Sequence, residues 1–298
     1  ILFRLVGSEM CIRDRDKFDI SNSTEAEIAV QAVTSRDLKV ATVEAKPASR
    51  NPSAPFMTST LQQEASRKFG MGARQTMSTA QRLYESGFIT YMRTDGIDMA
   101  PEAVHAARDV IADRYGKQYV PKSPRMYKNK AKNAQEAHEC IRPTELDQAP
   151  DQLNISEPDQ KKLYDLIWKR TIASQMEAAR MERTTVEIKS DDGQVGLRAN
   201  GQVVLFDGFM RVYEEGRDDT VIDDDDKRLP QIMAGDVLSK KSVIQEQHFT
   251  QPPPRYTEAS LVKRMEELGI GRPSTYASVV TTIPVSYTHL RAHETEEN

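Results

Sequence analysis

The sequence is poor in the features that mark a disulfide-bonded, metal-binding or membrane-spanning protein. Only two of its 298 residues are cysteines, Cys11 and Cys140, and they provide neither a disulfide framework nor metal-ligand spacing. No stretch of about 18 apolar residues is present, which argues against a membrane span. The N-terminus lacks the basic, apolar and small-residue order of a signal peptide. These absences predict a cytoplasmic protein without a membrane partner.

Charge is unevenly distributed along the chain, although the net charge is only −4. Residues 46–145 carry 16 lysines and arginines against 10 acidic residues, a surplus of six, whereas acidic residues concentrate in Asp218–Asp226. Screening confines exposed charges to roughly 8–10 Å, so the local surplus matters more than the total. The basic stretch is compatible with a nucleic-acid partner and also with an ordinary solvated face. We interpret the acidic run as a solvated loop and not as a metal site.

Hydrophobic spacing predicts a mixed α/β (α+β), multidomain protein. With 298 residues, of which 38% are hydrophobic, the chain is long enough for two or three domains. Helical and β-type spacing both occur, and no internal repeat is present. The predicted helices are Thr76–Ser86, Pro101 to Tyr115, residues 158–180 and Thr257–Leu268, and the predicted strands are Leu38–Val43, Thr184–Ile188, Gly196–Ala199 and Val203–Val212.

Shorter signals predict how some elements begin and end. Lys46–Pro55 is rich in proline, serine and asparagine, which indicates a linker. Thr60 and Gln63 have the spacing of a capping box, so a helix is expected to start at Thr60. Ser274 is expected to cap the last helix.

The segment Gly87–Gly96 contains the residues best suited to chemistry. It is predicted to be a short strand, in which Tyr91 and Arg93 would point to one face roughly 7 Å apart. A phenol is only roughly 0.1% ionised at neutral pH, and a neighbouring guanidinium would favour the phenolate and hold phosphate oxygens. An ester formed by Tyr91 would retain the energy of the broken phosphodiester, which fits the lack of an ATP-binding Gly-x-x-x-x-Gly-Lys loop. Taken alone, such a tyrosine is more often a packed strand residue.

Several further segments stand in a specific order around Tyr91. They are Pro55–Ala65, Gln81–Glu85 and Ile89–Asp95, followed by Ala134–Thr144, Arg255–Val262 and Gly269–Ala277. Together these segments resemble the bacterial branch of the type IA DNA topoisomerase family, and the resemblance covers roughly Asp16–Ile283. It implies that Tyr91 forms a covalent 5′-phosphotyrosine link, that Arg93 positions and stabilises the scissile phosphate, and that His138 lies near that phosphate.

The resemblance also implies a set of DNA-binding residues, each of which has a simpler structural reading. The candidates are Arg142, Thr94, Asp95, Gln81, Arg272 and Ser274, with Gln62 and Glu64 as possible supports. Arg142 could instead brace its own loop, and Asp95 could orient Arg93 or a backbone amide. Arg272 and Ser274 lie where a turn opens a helix, which suits a backbone phosphate but also a plain helix cap. His138 could equally be satisfied by a loop carbonyl.

The family fold implied by the resemblance is a torus that can enclose DNA, with a winged-helix-like tyrosine domain and a β-rich arch domain. Both ends of the chain fit this pattern poorly and resemble translated sequencing-adapter sequence, so they are expected to be artefacts. The expected segments are residues 1–15 (tail), 16–50 (arch, first part), 51–178 (tyrosine domain), 179–250 (arch, second part), 251–283 (helical DNA-binding segment) and 284–298 (tail).

The sequence departs from the family in one respect that bears on activity. The family's catalytic core begins with a metal-binding domain carrying an acidic Asp-x-Asp-x-Glu cluster, and nothing upstream of Tyr91 matches it. We therefore expect Mg²⁺ to serve the full-length enzyme through ligands outside this chain, no ATP requirement, and a chain that cannot relax DNA alone. The family's zinc modules are not matched either.

Single-stranded or underwound DNA is the expected partner, and a nucleoid-associated monomer is the expected state. Two alternatives remain open at the level of sequence. One is a non-catalytic module that binds single-stranded nucleic acid through residues 46–145. The other is a recombinase-like phosphotransferase, although such enzymes need several arginines and place their tyrosine late in the chain.

Overall fold

A computed structural model describes residues 4–6, 20, 22–128, 139–216, 232–245, 249, 252 and 255–286 of the chain. The chain forms two compact units, each assembled from segments that are distant in sequence. The first unit takes its described residues from Ile1–Arg50, Arg180–Phe206 and Val221–Pro253, and the second takes them from Asn51–Ala179, Asp207–Thr220 and Pro254–Asn298.

The first unit is built around a five-stranded sheet in the order β1-β4-β3-β2-β5. The strands are β1 (Arg4–Val6), β2 (Leu38–Arg50), β3 (Ala179–Ser190), β4 (Gly196–Phe206) and β5 (Val237–Leu238). The pairs β1–β4, β3–β4 and β2–β5 are antiparallel. The sheet joins β2, which ends at Arg50, to the hairpin of β3 and β4, which begins at Ala179, so it forms only when distant parts of the sequence come together.

One helix of the first unit, α1 (Ser23–Thr34), lies ahead of β2. The Asn22 side chain caps it by accepting a hydrogen bond from the Glu25 amide at 3.0 Å. Val33 is buried at its end and joins a core made by the inner faces of three strands. The other members of that core are Leu38, Val40, Val186, Ile188, Val195, Leu197 and Ala199.

The structure corrects several sequence-based boundaries in this unit. Helix α1 was not predicted: only three of its twelve residues, Ile28, Val30 and Val33, carry large apolar side chains, and of these only Val33 is buried. The predicted linker Lys46–Pro55 is wrong in its first half, since β2 continues to Arg50. Strand β4 continues through Gly201 where a break was expected, and it ends at Phe206, so the predicted strand Val203–Val212 is too long.

The second unit is mainly helical. Its helices are α2 (Thr58–Phe69), α3 (Ala73–Glu85), α4 (Pro101–Arg114), α5 (Pro158–Ser174), α6 (Glu258–Leu268) and α7 (Tyr276–Ser286), with short 3₁₀ turns at Lys117–Tyr119 and Gly208–Arg211. Pro101 opens α4 as expected, because a first-turn proline lacks only an amide that has no partner there. Gly70 ends α2 with φ 67°, a left-handed conformation that favours glycine.

The core of the second unit surrounds α5 and the tyrosine segment. Its largest fully buried side chains are Tyr164, Phe56, Leu61, Leu83, Ile89, Met92, Ile111, Ile141, Leu163, Ile167, Ile172 and Met176. Helices α6 and α7 add a small cluster of their own, formed by Val262, Met265, Tyr276 and Val280. The tyrosine segment therefore contributes two fully buried side chains, Ile89 and Met92, to the interior of the second unit.

Three predicted helix starts in this unit are wrong. Helix α3 begins at Ala73 and not at Thr76. Helix α2 begins at Thr58, so Thr60 is not its cap, and the Thr60 hydroxyl instead accepts a hydrogen bond from the Met57 amide at 3.1 Å. Helix α7 begins at Tyr276, which puts Thr275 and not Ser274 directly before it. The predicted helix 158–180 ends early, at Ser174, because the chain enters β3 at Ala179.

The six predicted segments with their arch and winged-helix labels remain predictions, as do the artefact tails. Two observations bear on the tails. Arg4–Val6 pairs with β4 within the first tail, and α7 extends past Ile283 to Ser286. In the described part of the chain, no helix has both the length and the apolar character needed to cross a membrane.

Candidate active site

The tyrosine segment Gly87–Gly96 is not a regular strand, which corrects the prediction. Within it Ile89 forms one isolated antiparallel bridge, to Pro143. Burial nevertheless alternates along it as in a strand. Met92 is fully buried, whereas Tyr91 is 48% exposed and Arg93 is also exposed. Both candidate side chains are therefore accessible to a substrate, and Met92 anchors the main chain between them.

Thr90, which directly precedes Tyr91, forms hydrogen bonds to the loop that follows residue 138. Its amide donates to the Arg142 carbonyl at 2.9 Å, and its hydroxyl donates to the Cys140 carbonyl at 2.7 Å. The Arg142 amide in turn donates to the Thr90 hydroxyl at 3.0 Å. Two segments identified from sequence as parts of one site are therefore joined directly next to Tyr91.

Tyr84 of α3 contacts Tyr91, and sequence analysis did not assign it to the site. The two rings meet edge to face with centroids 5.4 Å apart, and Tyr84 is itself 40% exposed. Its position one residue beyond the buried Leu83 made it look like a core residue of an amphipathic helix. The helical spacing contained no signal that its ring would reach the neighbouring segment.

Arg142 has the bracing contacts that were considered as its simpler role. Its Nε donates to Glu139 Oε1 at 2.7 Å, and the same carboxylate oxygen accepts from the Ala100 amide at 2.9 Å. The Arg142 side chain is largely buried, and it also donates to the Pro143 carbonyl at 2.9 Å. Glu139 thus ties the start of α4 to the loop bearing Arg142, and a phosphate contact by Arg142 remains a prediction.

The structure shows less about the roles of the remaining candidates, which are His138, Gln81, Glu64 and Gln62. His138 lies outside the described residues. Gln81 lies one turn before Tyr84 on α3, and its amide donates to Glu85 Oε1 at 2.8 Å. Of the two possible supports on α2, Glu64 is buried and accepts from the Tyr213 hydroxyl at 2.7 Å, while Gln62 is buried without a hydrogen-bond partner for its amide atoms in the described structure.

Three of the predicted DNA-binding residues line one cavity of about 430 Å³ in the second unit, namely Thr94, Asp95 and Arg272. The Thr94 side chain is 3% exposed, and its hydroxyl accepts a hydrogen bond from the Gly96 amide at 2.9 Å. Arg272 is exposed, and its amide donates to the Thr275 hydroxyl at 2.8 Å. Ser274 is exposed and is not part of the lining.

The cavity carries charges of both signs. Lys128, Arg170 and Arg272 face it together with Asp95, Glu266 and Glu267. Burial raises the pKa of Glu266, a hydrogen bond from Ser59 lowers it, and the nearby Glu267 raises it again. Burial also raises the pKa of the Tyr276 phenol; Glu266 and Asp95 add to this, and Arg272 opposes it. The exposed Lys128 and Arg272 suit contact with a phosphate, whereas the three carboxylates would repel one.

Arg170 and Lys128 are cavity residues that sequence analysis missed. Arg170 is 5% exposed, donates to Glu215 Oε1 at 2.7 Å, and lies 5.0 Å from the centre of the Phe56 ring. The Arg170 guanidinium is therefore used mainly in contacts with other residues of the second unit. Its place in the strongly helical stretch 158–180 gave no signal that it would face a cavity.

The described residues do not fit a resident metal ion. Among them, no group of three or more histidine, cysteine, aspartate or glutamate residues lies close enough together to hold one. The expectation of Mg²⁺ therefore continues to rest on the family resemblance, and the chemistry below uses only side chains of this chain.

Comparison with known proteins identifies the family. The sequence model described as DNA topoisomerase matches residues 5–289. This chain belongs to the bacterial type IA DNA topoisomerase family.

Individual relatives agree with that assignment. DNA topoisomerase 1 of Zymomonas mobilis is 56% identical over 272 residues, which are 90% of this chain and 22% of that protein. DNA topoisomerase 1 of Rickettsia felis is 48% identical over 277 residues, covering 90% of this chain and 36% of the relative. The chain thus spans about a fifth to a third of the length of these curated relatives.

A solved structure shows the same fold. Full-length topoisomerase I from Thermotoga maritima superposes with a TM-score of 0.71 at 35% sequence identity, over 91% of this chain and 44% of that one. The first residues of the match to the family model fall within the predicted N-terminal tail, and its last residues fall within the predicted C-terminal tail.

Proposed function

We propose that this chain carries the nucleophile of an ATP-independent enzyme that breaks one strand of negatively supercoiled DNA, passes the other strand through, and rejoins the break. The observation that supports this most directly is the exposure of Tyr91 and Arg93 on either side of a buried Met92. The supporting context is the family membership and the hydrogen bonds that attach Cys140 and Arg142 to Thr90, directly before Tyr91.

In the proposed reaction the Tyr91 hydroxyl oxygen attacks the phosphorus of a phosphodiester. The bond from phosphorus to the 3′ oxygen breaks, and a 5′-phosphotyrosine ester forms. The phenol loses its proton and the departing 3′ oxygen gains one, so no net proton or energy source is needed. Arg93 would neutralise charge on the non-bridging oxygens as it develops, and His138 would donate to one of them. Rejoining is the same exchange in reverse.

The predicted DNA-binding residues are proposed to have different roles. Arg272, which lines the cavity and is exposed, would contact a backbone phosphate, and Asp95 would orient Arg93 or a backbone amide. Thr94 would support the segment from inside, since its hydroxyl already bonds to the Gly96 amide. Arg142, Gln81 and Ser274 are proposed as outer contacts. The enzyme would act as a monomer on DNA in the bacterial nucleoid, with Mg²⁺ bound elsewhere in the full-length protein.

The proposal is tested by covalent capture of a single-stranded oligonucleotide. The chain is mixed with a separately purified N-terminal metal-binding domain of the family, Mg²⁺ and labelled DNA, and protein–DNA adducts are counted after denaturation. Tyr91→Phe should abolish adduct formation and change the affinity for DNA by less than about threefold, because a single hydroxyl adds little to phosphate-dominated binding. The chain without the metal-binding domain should not relax supercoiled DNA.

A non-catalytic binding module would behave differently. It would bind the oligonucleotide, form no adduct with the wild-type sequence, and be indifferent to Tyr91→Phe. Adducts that persist in Tyr91→Phe would show that another residue is the nucleophile.

A further inference from the structure

Thr58, the first residue of α2, contacts the main chain just beyond Tyr91. Its side chain is fully buried, and the single proton of its hydroxyl is shared between the Met92 carbonyl at 2.8 Å and the Thr94 carbonyl at 3.0 Å. The same hydroxyl oxygen accepts a hydrogen bond from the Thr94 amide at 2.9 Å. The Thr58 amide adds a fourth bond by donating to the Thr94 carbonyl at 2.9 Å.

These bonds matter because no strand among the described residues pairs with the tyrosine segment at residues 92–94. In a sheet, a neighbouring strand would satisfy the main-chain groups of residues 92–94. In this structure the main chain bends at Met92 and Arg93. The Thr58 hydroxyl bonds to the Met92 carbonyl on one side of the bend and to the Thr94 amide on the other. Thr90 provides the matching attachment on the other side of Tyr91.

We infer that Thr58 is a positioning residue for the strand-transfer reaction. Its hydroxyl holds the bend at Met92–Thr94, and that bend directs the exposed Tyr91 and Arg93 side chains toward a single phosphate. Thr58 is buried and touches no substrate, so it acts only through the main chain of the segment. This inference rests on the proposed role of Tyr91 as the nucleophile.

The substitution that isolates the hydroxyl is Thr58→Val, because valine keeps the branched shape and removes the hydrogen bonds. It leaves the Met92 carbonyl and the Thr94 amide buried without this partner. Thr58→Ser has the opposite effect, since it keeps the hydroxyl and loses a methyl group. Thr171→Val is a matched control at another fully buried threonine, whose hydroxyl donates to the Ile167 carbonyl within α5.

The first measurement is hydrogen–deuterium exchange of the full chain, which reports on the bend without any chemistry. Thr58→Val should speed exchange at the amides of Thr94 and Gly96 by about tenfold, the effect expected when one buried hydrogen bond is lost. Thr58→Ser and Thr171→Val should leave these two amides within about threefold of wild type.

The second measurement is the covalent capture assay, with its rate separated from its half-saturating oligonucleotide concentration. Thr58→Val should lower the capture rate at saturating DNA by about 100-fold, since misplacing a nucleophile by about 1 Å has that effect. The half-saturating concentration should change little, and Thr58→Ser should restore the rate to within about fivefold of wild type. A residue needed only for packing would show the reverse order, with serine worse than valine.

The outcomes separate the two claims. Capture by wild type and by Thr58→Val at equal rates overturns the positioning role and leaves the nucleophile assignment intact. No adduct with wild type overturns the proposed function, and the positioning role with it. If Thr58→Val does not fold, Thr58→Ala is compared with Thr58→Ser, which differs from it only by the hydroxyl; equal capture rates in that pair likewise overturn the inference.

Discussion

Tyr91 and Arg93 are exposed because the residues next to them are held inside, and not because they belong to a regular strand. Met92 is fully buried and Thr94 is 3% exposed, so the side chains between and before them must point outward. The contacts of Thr90 and Thr58 keep this arrangement on both sides of the phenol. The orientation of the proposed nucleophile is thus set by main-chain hydrogen bonds to the buried Thr58 and the half-buried Thr90.

The Tyr84 ring is a second restraint on the phenol, and it gives a prediction at the scale of single residues. Tyr84→Ala should lower the rate of covalent capture about three- to tenfold, because an edge-to-face aromatic pair contributes about 0.5–1.5 kcal/mol. Tyr84→Phe, which keeps the ring, should stay within about twofold of wild type. The measurement is the capture rate at saturating oligonucleotide.

Tyr115→Ala is the control for that prediction. Tyr115 forms an edge-to-face pair with Tyr119, at a centroid distance of 6.4 Å, and has no ring contact with Tyr91 among the described residues. A loss of rate that is equal in Tyr115→Ala and Tyr84→Ala would show that general destabilisation, and not the ring contact, is responsible.

At the scale of elements, α2 and α6 bury an ionisable side chain between them. Glu266 on α6 is hydrogen-bonded to Ser59 on α2, and burial raises its pKa above the usual value. Helix α2 carries most of the Pro55–Ala65 motif, and the Gly269–Ala277 motif directly follows α6, so the packing of the two helices brings these motifs together. The cavity lies where these motifs meet.

The raised pKa predicts how stability depends on pH. A carboxyl group whose pKa is higher in the folded state binds a proton more tightly when folded, so its contribution is most favourable below the unfolded pKa. That contribution is lost as the pH rises from the ordinary glutamate value through the raised pKa of Glu266. Glu266→Gln should therefore flatten this part of the pH profile of urea unfolding, and should not lower the unfolding free energy at pH 7.

Glu267→Gln is the comparison for the pH experiment, because Glu267 is a half-exposed neighbour paired with Arg264 at 3.1 Å. Its substitution should leave most of the pH dependence in place. A profile unchanged by Glu266→Gln would mean that the carboxylate is better solvated than its position between α2 and α6 indicates.

At the scale of the whole molecule, all described residues of the proposed site belong to one of the two units. The second unit contains Tyr91, Arg93, the cavity and the loop bearing Arg142, whereas the first unit is a sheet with its own core. The basic surplus of residues 46–145 also falls mostly in the second unit. Electrostatic binding of a DNA strand is therefore expected to depend on the second unit.

Salt dependence tests this distribution of charge. The logarithm of the affinity for single-stranded DNA should fall linearly with the logarithm of salt concentration, and Arg272→Ala should reduce the slope by about 0.7, as expected for one phosphate contact. Lys39→Ala in the first unit, where Lys39 pairs with Asp191 at 3.0 Å, should leave the slope unchanged. Equal changes in both variants would contradict a phosphate contact at Arg272.

Several features followed from local sequence alone. Helix α4 begins at Pro101 as predicted, because the ring fixes a backbone angle that suits a first turn. Helix α6 ends before Gly269, where a left-handed residue is required. The motifs around Tyr91 sufficed to indicate the family, because their order and spacing are specific over most of the chain.

Other features were decided only by tertiary structure. Strand β2 runs to Arg50 although its second half is mostly exposed and gives no apolar pattern, because the partner strands that extend it come from distant sequence. Asp95 and Arg272 line the same cavity, and Thr58 forms a hydrogen bond to Met92, because elements far apart in the chain pack together. The sequence by itself determined which side chains could do the chemistry, since residue type and local spacing are written in it. Only the folded chain decided how they are aimed, because long-range hydrogen bonds and burial have no local signature.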